Sequence, residues 1–176
     1  MIIVGYQTLE DRDNIDYVEE FGPFECTRNN AWLGFGYYFW DTNIEWAKHW
    51  GINSYELNDL DFIIGSCEID ISNNCFDLHG NVSHQLDLIE CYTILKEQGV
   101  KESKLRVSSL IDFLKKNAIF DYDSIRAADF PNNIEKYFFA KKEFTYINQR
   151  VQICVINKKN VISSPFKVVY PEKYVN

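Results

Sequence analysis

Residues 32–41 read WLGFGYYFWD, with glycines at 34 and 36 and then four consecutive aromatic residues before Asp41. Two glycines two apart remove side chains where a ligand or another backbone must come close. The stretch from Phe35 to Trp40 has the chemistry of a strand. Its period of two sets Tyr37 and Phe39 on one face and Tyr38 and Trp40 on the other. The rings admit two readings: an aromatic strand packed in a core, or a wall that stacks on a flat heteroaromatic ligand. A G-x-G that enters a strand, with no G-x-x-G continuation, is not a dinucleotide fingerprint. Pyrophosphate binding at a helix N-terminus is therefore excluded.

Outward from this strand, Thr42 and Glu45 have capping-box spacing. Ile44, Ala47 and Trp50 then follow at helical intervals until Gly51, where the helix is expected to stop. Towards the N-terminus, Met1 to Tyr6 reads as a strand and Glu10 to Glu20 as an amphipathic helix ended by Gly22-Pro23. Towards the C-terminus, Phe62 to Ile71 is strand-like, and Leu86, Ile89, Tyr92 and Leu95 recur at helical spacing before Gly99. Ser103 is placed to cap a helix holding Leu110, Phe113 and Leu114. Val151–Ile156 and Val161–Tyr170 read as strands joined by a turn at 157–160. Strands open and close the chain and helices fill its middle. The expectation is one α+β domain over residues 1–176 with a mostly antiparallel sheet.

Composition narrows the function classes. With 176 residues, 46% hydrophobic and 25% charged, the chain suits one globular domain. No apolar run approaches the ~20 residues of a membrane span, and the opening MIIVGYQTLEDRD lacks the basic flank of a secretory signal. A net charge of −8 opposes broad phosphate contact. Five cysteines without C-x-x-C spacing predict reduced thiols and a cytoplasmic setting. Cys75, His79 and His84 fit no common zinc pattern, and no metal is expected. Trp46 and Trp50, at helical spacing, read as packing residues, and His49 as a helix-face residue.

The stretch NNAWLGFGYYFWDTNIEWAKHWG resembles the central motif of ADP-ribosyltransferases of the diphtheria-toxin and poly(ADP-ribose) polymerase type, a G-x-G-x-Y-F strand followed by a helix. IIVGYQT, at the start of the chain, is similar to that family's first strand, where Y-H-G-T is usual. RVQICVINKKNVI is similar to its third motif strand, and YDSIRA (residues 122–127) to a segment ahead of it. The resemblance implies a split β-sandwich of two small, mostly antiparallel sheets with flanking helices.

It also implies NAD as the substrate, with Tyr38 stacking on nicotinamide, Gln7 in place of a ribose-binding histidine and Thr8 in place of a glycine. Gln152 stands where many members carry a catalytic glutamate. Gly36 and Tyr37 belong to the same motif strand at the dinucleotide, and Arg28 and Arg126 are candidates for its pyrophosphate. Glu143 is a further candidate for transition-state charge.

The implied activity is transfer of one ADP-ribose to a protein or nucleic-acid acceptor. The setting is that of a toxin from a toxin–antitoxin or anti-phage system, with an antitoxin or other neutralising protein as partner. The acceptor loops are expected around Asn53–Asp61 and Gly80–Gln85. With glutamine at two of three motif positions, the alternative is a degenerate fold that binds NAD, ADP-ribose or a protein partner without catalysis.

Overall fold

The computed structural model describes the backbone of residues 1–129, 135–140 and 143–175, and the side chains of these except 135–140. Its elements in chain order are β1 (Ile2–Glu10), α1 (Ile15–Phe21), β2 (Tyr37–Asp41), α2 (Ile44–Ser54), β3 (Phe62–Asp70), β4 (Cys75–Asp77) and α3 (Val82–Glu97). There follow α4 (Val107–Lys116), β5 (Ser124–Ala128), β6 (Glu135–Ala140), β7 (Glu143–Ile147), β8 (Val151–Val155), α5 (Lys158–Val161) and β9 (Lys167–Tyr170). The class is α+β.

Seven strands form one sheet in the order β4-β5-β8-β2-β1-β3-β9, and β6 and β7 form a separate two-stranded ribbon. All pairings in the large sheet are antiparallel except β4 with β5. The implied pair of small sheets is thus replaced by a continuous one, with a narrow seam near its middle. β1 pairs with β3 over nine residue pairs, from Ile2–Asp70 to Glu10–Phe62. It meets β2 at only two, Gly5–Asp41 and Tyr6–Trp40.

Alternation along the strands sorts the core. One face carries Ile3, Phe39, Cys67, Ile69, Ile153 and Val155, packed with Val18 of α1 and with Phe166. On the other, Trp40, Phe62 and Ile64 pack against Ala47 of α2, while Phe76, Ile125 and Cys154 pack against Ile111 of α4. The helices α3 and α4 join through Cys91, Leu95, Leu110 and Leu114.

Several local expectations change for identifiable reasons. Glu10 ends β1 instead of starting a helix, because the ladder to β3 continues through it, and α1 begins only at Ile15. Thr42 has a left-handed φ of 56°, and Asn43 caps α2 by accepting from the Glu45 N–H. Gly51 lies inside α2 and does not end it; a Cβ there would sit 2.4 Å from the Phe62 ring, so the glycine permits close helix–sheet packing. Ser103 falls in a 3-10 turn, and α4 starts at Val107. The two C-terminal strands are not a hairpin. β8 pairs with β2 and β5, β9 pairs with β3, and α5 lies on the connection between them.

Candidate functional site

A cleft of about 430 Å³ opens at the seam, on the sheet face that carries Tyr38 and Trp40. Thr8 of β1, Tyr38 and Trp40 of β2, and Gln152 of β8 line its floor. The loop between α1 and β2 forms one wall with Arg28 and Trp32, and Trp50 and Tyr55 at the end of α2 form the other. The register gives this geometry directly. Tyr38 opposes Cys154 and Trp40 opposes Gln152, so Tyr38 and Gln152 are diagonal neighbours on one face.

Tyr38 serves two structures at once. Its phenol donates to the Gly34 carbonyl at 2.8 Å and accepts from the Leu33 N–H at 3.0 Å, so the strand holds its own preceding loop. Its ring is half-buried against Leu33 and Cys154 and also borders the cleft. Burial is the main cause that raises the phenol well above its ordinary pKa, and the neighbouring Cys154 adds to it. Tyr38 is neutral at physiological pH and offers a ring face, not a proton-transfer group. Burial likewise pushes the Cys154 thiol up to about 12.

The Gln152 side chain is oriented by Trp32, whose indole Nε1–H donates to Oε1 at 2.7 Å. An indole nitrogen only donates, so the amide oxygen must face it and Nε2 is the end left for a ligand. Among the described residues, that Nε2 has no partner. The site at position 152 therefore presents a donor, where the ribose-holding role implied by the resemblance requires an acceptor.

Gln7 also lines the cleft, but its amide is committed to the fold. Nε2 donates to the Phe24 carbonyl at 2.8 Å and the Tyr38 carbonyl at 3.3 Å, and Oε1 accepts from the Phe24 N–H at 2.8 Å. It lies one residue beyond the last β1–β2 pair and stitches the seam where the backbone ladder stops. Both amide hydrogens are taken, so Gln7 has no free donor for a ribose. The Thr8 hydroxyl donates to the Ala47 carbonyl at 2.8 Å and ties β1 to α2.

Arg28 is exposed at the rim and makes no ion pair among the described residues. Its charge reaches the Tyr55 phenol: burial raises that group, and Arg28 opposes the rise. Asp129 lines the cleft and accepts from Arg150 Nη2 at 2.6 Å. The Arg150 guanidinium lies over the rings of Trp40 and Trp46, 5.3 Å from each centroid.

Four expected site residues lie elsewhere. Arg126 points to the opposite sheet face, where it bonds Asp41 at 2.7 Å and Asp77 at 3.2 Å. Tyr37 also lies on that face, under Lys158. Gly36 packs against β8, with φ +155°, and a Cβ there would meet the Val155 carbonyl oxygen at 2.5 Å. Gly36 thus answers a backbone approach within the protein, whereas Gly34, with φ +93° and open space around it, answers a left-handed turn. Glu143 opens the exposed strand β7 and does not line the cleft. His84 accepts from the Asp77 N–H at 2.9 Å through Nδ1, a local structural bond near the start of α3.

Trp32, Trp50 and Tyr55 are among the cleft residues to which the sequence alone assigns no site role. Trp50 has the helical spacing of a packing residue, yet it is 39% exposed and stands 6.3 Å from Trp40. Nothing local flags Trp32 as the partner of Gln152, because 120 residues separate them. Among the described residues, no helix is long and apolar enough to cross a membrane. Comparisons with protein-family models, curated proteins and solved structures return no match.

Proposed function

We propose that the cleft binds NAD and that the chain is a mono-ADP-ribosyltransferase, breaking the nicotinamide glycosidic bond and passing ADP-ribose to a protein or nucleic-acid acceptor. The observation that carries the reading is the convergence, on one sheet face, of the Tyr38 ring and the Gln152 amide in a cleft rimmed by Arg28, which has no ion pair among the described residues. A flat heteroaromatic ring, a polar sugar and an anionic phosphate each find a matching surface there. The proposed setting is a cytoplasmic toxin held in check by a neutralising protein.

The chemistry assigns each group a task. Loss of neutral nicotinamide leaves positive charge on the ribose ring, and the acceptor nucleophile closes the new bond at the same carbon. Aromatic walls exclude water and orient the ring, and Arg28 holds phosphate oxygens. Gln152 Nε2 donates to a sugar oxygen and fixes the ribose. An amide supplies no negative charge, so electrostatic stabilisation at position 152 is weaker than a carboxylate would give.

That same amide favours a second reading, in which the cleft binds NAD or ADP-ribose without turnover. Nicotinamide release by the purified chain, measured beside NAD binding by calorimetry, separates the two. Release that is lost in Tyr38→Ala supports the transferase. Binding without release supports the binding module. Neither binding nor release rejects both.

A further inference from the structure

The longest helix of the fold is apolar on two opposite sides. At 100° per residue, Val82, Leu86, Ile89 and Thr93 of α3 fall within an arc of about 60°. The buried pair Cys91 and Leu95 lies on the far side and packs against α4. The outward residues are bare: Val82 is 66%, Leu86 59% and Ile89 59% exposed, and no described side chain covers them. An outward helix face is normally polar, and a single exposed leucine is ordinary. Three aliphatic residues at i, i+4 and i+7 on a solvent face form a stripe about 10 Å long, the spacing that a second helix reads.

Charge decides what covers it. Glu90 and Glu97 are exposed along one edge of the stripe, within about 40° of Leu86, and make no ion pair among the described residues. The basic residue on that surface, Lys96, is engaged by Glu102 at 2.5 Å. A second copy of this chain would bring another body of charge −8 to the same place. A partner whose apolar face is bordered by lysine or arginine satisfies both the stripe and its acidic margin.

We propose that the outward face of α3 is a docking site for a basic amphipathic helix of a partner protein. The site is built from different residues than the cleft and stands whether or not the cleft binds NAD.

The test uses the full chain and a fluorescent peptide of about 14 residues, made of leucine and lysine with the leucines on one helical face. A peptide of identical composition with scattered leucines is the control. Anisotropy is expected to show saturable binding to the unmodified chain, at least tenfold weaker in the double variant Leu86→Ser/Ile89→Ser. Glu90→Gln/Glu97→Gln should weaken it several-fold and flatten its salt dependence. Equal binding of the control peptide, or unchanged affinity in the serine variant, overturns the proposal. So does a dimer of the chain in sedimentation that the serine pair dissolves, because the face would then belong to a second copy. If the serine variant does not fold, hydrogen exchange decides on the unmodified chain: peptide-induced protection of residues 82–93 supports the site, and its absence overturns it.

Discussion

The Trp32 indole and the Gln152 amide oxygen are joined at 2.7 Å across a separation of 120 residues. One partner sits on the loop ahead of β2 and the other on β8, so this contact fixes the cleft wall to its floor. It also decides which end of the amide a ligand meets. A glutamate at position 152 would accept the same indole proton and add a charge-assisted bond. A leucine would leave the indole donor unmatched.

The energetic consequence is a coupled pair. Trp32→Phe should cost about 1 kcal/mol beyond its change in packing, and Gln152→Leu about 1–3 kcal/mol, since it strands a half-buried donor. In a double-mutant cycle by urea unfolding, the coupling energy should be about 1 kcal/mol. Simple additivity would mean that the two side chains do not hold one another.

Gln152→Glu should keep the fold, with a Tm within a few degrees of the parent, because the indole bond is preserved. On the proposed activity it should raise nicotinamide release roughly tenfold, by placing negative charge next to the ribose. An unchanged rate with intact NAD binding would remove position 152 from the chemistry.

Gln7 carries the seam. Gln7→Ala deprives the Phe24 N–H and two carbonyls of partners and should cost about 2–3 kcal/mol. Gln7→Glu is a sharper probe. The carboxylate still accepts from Phe24 N–H but faces two carbonyl oxygens, so folding favours its protonated form and raises its pKa above the unfolded value. Stability gained from the neutral acid is complete below the unfolded pKa and is lost as pH rises through the folded one. Relative to the parent, the variant should lose less stability at pH 5 than at pH 8 in denaturant titrations. A pH-independent deficit would refute the assignment of the two carbonyl contacts.

Position 7 also illustrates how much was legible in the sequence. The face assignments of Tyr37 to Trp40 follow from alternation alone and agree with the register, and the apolar runs at 62–71 and 151–156 mark real strands. Cys75–Asp77 and Ser124–Ala128 carry no strand signal in the sequence. The first is too short to show a period, and the second contains Arg126, whose charge is matched by Asp41 and Asp77 only after folding. Gln7 reads in sequence as a substituted ligand-binding residue. Its commitment to Phe24 and Tyr38 emerges only when β1 and β2 part after two residue pairs. Local pattern identifies elements, whereas long-range partners decide what their polar side chains do.

Thiol reactivity reports the core independently of any ligand. Cys67, Cys75, Cys91 and Cys154 are buried, and Cys26 is half-buried at the cleft. Burial raises Cys67 and Cys154 to about 12, so both are protonated and unreactive in the native state. One thiol should react with Ellman's reagent at neutral pH, and the other four only on unfolding. NAD should slow the first if it occupies the cleft. The raised thiol pKa values also predict alkaline sensitivity: stability held by the neutral thiols is full below about pH 9 and declines as pH climbs toward 12. Rapid labelling of several thiols in the native protein would contradict the packing of the sheet.

Arg126 tests the division between scaffold and site. Its guanidinium joins Asp41 of β2 to Asp77 of β4, and the Asp41 side chain is only 3% exposed. Replacing it with methionine leaves a buried carboxylate without its cation and should cost about 3–5 kcal/mol. Arg126→Met combined with Asp41→Asn should recover part of that loss, since the neutral amide no longer requires a counter-charge. Arg28→Met, at the exposed rim, should leave Tm unchanged and weaken NAD binding about tenfold if the rim holds phosphate. The opposite result, a stable Arg126→Met chain with impaired NAD binding beside a silent Arg28→Met, would exchange the roles of the two arginines and move the anion site to the other face of the sheet.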